Sequence, residues 1–105
     1  MEHPAVLDAV CHLEAMAEAG QHPQEVAAAA AEIAAGWWLS AAGDVDPSRL
    51  VVLVQDLRMW CLVTRNDYVS RWDHQHRSGR PDLANEARRW AEAMDEAQRA
   101  LRMYD

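Results

Sequence analysis

A chain of 105 residues with a formal net charge of -7 is long enough to bury one hydrophobic core without disulfides or a structural metal. It is too short to suggest a second domain, and too acidic to neutralise the phosphates of a nucleic-acid duplex. Alanine dominates, phenylalanine is absent, and valine and isoleucine are too scattered to alternate along strands, so the expected fold is all-α over residues 1–105.

Proline is favoured in the first turn of a helix, where its missing N–H is not needed, and glycine just past the last turn. Pro4, Pro23, Pro47 and Pro81 each precede a helical pattern, and Gly20, Gly43 and Gly79 lie just upstream of the last three. Four helices follow from this punctuation. The first, about residues 4–19, places Val6, Val10, Leu13 and Ala17 on one stripe, with Asp8, Cys11, His12, Glu14 and Glu18 elsewhere. The second, about 23–42, aligns Val26, Ala30, Ile33 and Trp37 and carries Glu25 in its first turn, where an acid suits the macrodipole. Gly36 inside it suggests close packing against a neighbour.

The third helix opens on the cap Asp46-Pro47 and runs to about His76. Its main stripe collects Leu50, Leu53, Val54, Leu57, Trp60, Cys61, Thr64, Tyr68 and Trp72, while Val52, Met59 and Val63 lie near the opposite face. A helix apolar on two sides wants neighbours on both. The polar cluster Arg65-Asn66-Asp67 is the one place where the pattern allows a break. The fourth helix, about 81–104, sets Leu83, Ala87, Trp90, Met94, Ala97, Leu101 and Tyr104 at spacings of four and three, a heptad seam. Its remaining charges, including Asp95 and Arg99, read as a solvated face. Short connections make consecutive helices antiparallel neighbours. The expected architecture is therefore a four-helix up-down bundle in which helices 3 and 4 form a long antiparallel hairpin.

The charge is uneven: residues 1–57 hold nine acids and one Arg, residues 58–89 seven Arg and four acids. All the basic residues are Arg, a bias better explained by composition than by a recognition code. The densest polar stretch, Arg71 to Arg80, places Arg71, Trp72, His74, His76, Arg77 and Arg80 at a helix C-terminus, where cations also serve the macrodipole. His74 and His76 are two apart and point in different directions on a helix, so no metal site is expected from them; the Asp8/His12 pair lacks further ligands. Asp67, Ser70 and His74 share a face, but a mid-helix serine without an oxyanion hole is a poor nucleophile. Cys61 sits in the apolar stripe of the third helix as an inert core thiol, and Cys11, nearer the polar side of the first, has no cluster of cations to lower its pKa. No catalytic residue, metal or cofactor is expected.

Five tryptophans are many for this length. Trp60 and Trp90 fall on the expected seams, whereas Trp37 and Trp38 are consecutive and cannot share the centre of one stripe. Trp38 and Trp72, with Tyr68, Arg71, His74, His76, Arg77 and Arg80, are the candidate contact residues. The sequence thus suggests a small acidic protein-binding module, an accessory, regulatory or inhibitory protein, one form of which is an inhibitor or immunity protein of a basic, nucleic-acid-handling partner. A homodimer with a protein partner, no direct duplex binding and no membrane segment are expected. Unpaired cysteines and the absence of a signal-peptide pattern point to the cytoplasm. The alternative is a small-molecule-binding protein or enzyme with a pocket between helices 3 and 4, lined by Trp60, Tyr68, Trp72 and Arg71 or His74.

Overall fold

The computed structural model describes residues 4–40 and 47–104. Within them the chain forms α1 (Pro4–Glu18), α2 (Pro23–Ser40), α3 (Pro47–Arg77) and α4 (Pro81–Leu101), closed by a 3-10 turn over Arg102–Tyr104, with no strand among the described residues. Every helix opens on a proline, as its composition dictates. Asp46, Gly43 and the expected last residues of the second helix lie outside the described residues, as does the side chain of Tyr104.

Two helix ends are closed by the same device. Gly20 and Gly79 adopt positive φ, +83° and +70°, a conformation open to glycine at little cost. At the first, the N–H of Gly20 donates to Ala17 O (3.1 Å) and that of Gln21 to Met16 O (3.2 Å); at the second, Gly79 donates to His76 O (3.2 Å) and Arg80 to Gln75 O (3.0 Å). Both are Schellman closures that satisfy the last carbonyls and redirect the chain into the next helix. The third helix continues unbroken through Arg65-Asn66-Asp67. Those polar side chains all find partners on its flanks: Arg65 reaches Asn66 and Asp95, and Asp67 reaches Arg71.

The hairpin of α3 and α4 is the spine of the molecule. Arg58 meets Gln98, Arg65 meets Asp95 and Tyr68 meets Trp90, so partner numbers fall as chain number rises, and the register is centred on Gly79. Helix α2 packs on α4, α1 packs on α2 and α3, and α2 touches α3 only slightly. The second and third helices are consecutive in the chain yet sit nearly across a diagonal, which departs from the expected neighbour order. At about 1.5 Å per residue, α3 rises roughly 46 Å, about twice the length of α1. The molecule is accordingly elongated, 54 × 23 × 22 Å.

One core draws on all four helices: Val6, Val10 and Leu13 from α1, Val26, Ala30 and Ala34 from α2, Val54, Leu57 and Cys61 from α3, and Met94, Ala97 and Leu101 from α4. Trp37, Trp60 and Trp90 pack against it, partly buried. The buried face of α4 is wider than a single seam, because α4 serves both α3 and α2. Ala84, Ala91, Ala93 and Gln98 are buried beside Ala87, Met94 and Leu101, whereas Leu83 is exposed. Gly36 is exposed, and a Cβ built on it would meet nothing within 4 Å; close packing does not explain it.

A polar seam locks the hairpin. Arg58 Nε donates to Gln98 Oε1 (3.3 Å), Gln98 Nε2 donates to Asp95 Oδ1 (3.1 Å), and Arg65 Nη1 donates to the same oxygen (2.8 Å). Arg99 adds a contact to Asp95 Oδ2 at 2.9 Å. The hydrogen bond from Arg65 above all, then those from Gln98 and the nearby Arg99 charge, hold the Asp95 carboxyl below the usual range despite partial burial. Asp95 is thus a cross-helix clasp as well as the helical partner of Arg99, and the face of α4 that carries it is not simply solvated.

Candidate interaction surfaces

Above the core, the hairpin carries an aromatic stack. Tyr68 lies on Trp90 with ring centroids 5.5 Å apart and planes 15° from parallel. The Arg71 guanidinium sits 5.0 Å over the Tyr68 ring and pairs with Asp67 at 2.9 Å. Each of these contacts binds i to i+3 or i+4 on α3, or crosses to α4, so a rigid plate of three planar groups follows from the helical spacing. Burial pushes the Tyr68 hydroxyl above its ordinary value; Arg71 opposes the shift, and Asp67 and Glu86 add to it.

Two clefts open on either side of this plate. The first, about 690 Å³, lies where the α1–α2 turn approaches the start of α4, between His22, Gln75, Asp82, Glu86 and Arg89. The side-chain oxygen of Gln75 is buried there without a hydrogen-bond partner among the described residues. The second, about 480 Å³, lies between α1 and α3, with Leu13, Trp60, Val63 and Met94 as apolar walls and Glu14, Glu18 and Asp67 among its polar ones. Tyr68, Arg71 and Trp90 line both.

The sequence candidates separate into three places. Tyr68 and Arg71 belong to the plate. Trp72, His74, His76, Arg77 and Arg80 belong to the hairpin tip and line neither cleft. There Trp72 stacks on His76 at 5.3 Å, Arg77 pairs with Asp73 at 3.3 Å, and His74 serves the helix end by accepting Ser78 Oγ at its carbonyl (2.8 Å). Trp38, on α2, is partly exposed. The cleft residues Glu14, Glu18 and Gln75 were not singled out by sequence pattern; a carboxylate on a polar helical face has no local signature until its neighbour helix is placed.

The third surface is the outward side of α3. Val52, Met59 and Val63 are 53%, 57% and 58% exposed. Positions i, i+7 and i+11 stack along one line of a helix, and the second neighbour expected for this side does not come from the described residues of the chain. Val63 also walls the second cleft, so row and cleft are continuous.

Among the described residues the candidate nucleophiles are not assembled with a base. Cys61 is fully buried and its thiol is pushed up to about 12 by burial. Asp67 is engaged by Arg71, and no hydrogen bond joins Asp67, Ser70 and His74 side chains to one another among the described residues. No group of three His, Cys, Asp or Glu side chains suited to a metal occurs among them, and no helix formed by them is long and apolar enough to cross a membrane. No family model, curated protein or solved structure matches the chain.

Proposed function

We propose that this chain is a small protein-binding module, an accessory, regulatory or inhibitory protein that works through the outward face of α3 and is held as a homodimer. The observation that carries the reading is the row Val52, Met59 and Val63, three large apolar side chains more than half exposed on one line of the longest helix. Leaving such a row in water gives up part of the burial free energy, about 25 cal/mol per Å² of apolar surface, that a partner would supply. The acidic surface suits a basic partner, including one that handles nucleic acid.

The small-molecule alternative draws on the first cleft and the unsatisfied Gln75 oxygen. It is the weaker reading, because that cleft is open and its walls mix Asp82 and Glu86 with Arg71 and Arg89, without the enclosed apolar lining that ligand pockets usually have. Affinity capture from the native host with wild type and with Met59→Ser tests the main reading. Proteins retained by the first and lost from the second support it. Identical captures from the two would remove the α3 face from the account.

A further inference from the structure

We infer that the cleft between α1 and α3 is the seat of a basic amphipathic segment of a partner protein, one that places an apolar side chain against Trp60 and Val63 and an Arg or Lys between Glu14 and Glu18. This rests on the reading that the chain binds protein through α3, and it adds the chemistry of what is bound.

Three observations converge on that chemistry. The cleft has an apolar floor, since Leu13 and Met94 are core residues and Trp60 packs against the core. Its α1 rim is acidic and uncommitted: Glu14 and Glu18 are exposed, four residues apart on one helical face, and neither has an ion pair among the described residues. The cation that lines it, Arg71, is already engaged by Asp67 and the Tyr68 ring, so it neither neutralises the rim nor offers itself to an anion. Residues 4–40 carry the acids Asp8, Glu14, Glu18, Glu25 and Glu32 and contain no Arg or Lys. The field around α1 therefore attracts cations approaching from that side.

An apolar trough beside a helix, with acids on one rim, matches an amphipathic helix that carries its charges next to its apolar face. An acidic segment would place like charges against Glu14 and Glu18, and a polar one would leave the floor in water.

The test uses synthetic helical peptides of about 16 residues, with Leu on one face and Arg on the other, read by tryptophan emission because Trp60 and Trp90 line the cleft. At low ionic strength the Arg peptide should shift the emission saturably, and the double variant Glu14→Gln/Glu18→Gln should weaken binding roughly three- to tenfold, as loss of two exposed ion pairs implies. The same peptide with Glu in place of Arg, or Ser in place of Leu, should not bind. Equal binding by the Glu peptide, or undiminished binding by the double variant, overturns the inference. Met59→Ser, which lies outside the cleft, separates the two levels: it should weaken self-association and leave peptide binding unchanged. An unchanged dimer in Met59→Ser overturns the α3 reading alone, and undiminished peptide binding by the double Gln variant overturns the cleft assignment alone.

Discussion

The inward and outward faces of α3 are built from the same kinds of residue and have opposite fates. Leu53, Val54, Leu57 and Cys61 face the other three helices and are buried; Val52, Met59 and Val63 face away and stay exposed. Hydropathy alone does not distinguish them. What decides is which side α4 and the short α1 cover, and that is a property of the bundle, not of the helix. Burial converts the first set into folding free energy and leaves the second available for association.

Substitutions at the two faces can break that contrast. The largest effect should come from Leu57→Ala, which empties a fully buried site at the meeting of the helices and should cost about 2–5 kcal/mol in a denaturant titration. A loss under about 1 kcal/mol would mean the core closes around the gap and the inward face is looser than described. On the flank between the faces, Asp95→Ala removes the acceptor shared by Arg65 and Gln98 and should cost roughly 1–2 kcal/mol. The sign of its pH dependence is fixed by the lowered carboxyl. The stabilisation is complete above the ordinary value of 3.8 and is lost as pH falls through the depressed folded value. Asp95→Asn should therefore flatten the acid side of the stability profile, and an unchanged profile would show that the clasp contributes little.

Smaller effects sharpen the same contrast. Gly36→Ala, at an exposed helical site with free space around the added methyl, should stabilise by about 0.5–1 kcal/mol; a destabilised variant would point to a contact outside the described residues. The cysteines offer a comparison without mutation. Cys11 is exposed and Cys61 buried, so a thiol reagent should label the folded protein at Cys11 and reach Cys61 only on unfolding, as mass spectrometry of the labelled peptides would show.

Much of the frame was legible in the sequence because its signals are local. Proline at each helix start, glycine past α1 and α3, and the stripes of α1 and α3 depend on residues within a few positions of one another. Harder to read was whatever depends on the neighbour. Gln98 looks like a surface residue until Arg58 crosses from α3, and Leu83 continues a regular seam yet lies in the first turn of α4, before the helix reaches the core. The expected clustering of contact residues at the hairpin tip separated for the same reason. The α1–α2 turn stands beside Tyr68, Arg71 and Gln75 and makes the plate and its clefts, which spacing along one helix does not reveal.

The central claim is that the outward face of α3 associates and does not fold the chain. Sedimentation equilibrium tests it most directly, on wild type and on Val52→Ser/Met59→Ser/Val63→Ser. Exposed positions typically cost no more than about 0.5 kcal/mol each, so the triple variant should remain folded. The account predicts a dimeric mass for wild type and a folded monomer for the variant. A wild type that stays monomeric at high micromolar concentration, or a variant that keeps the dimer, would contradict it.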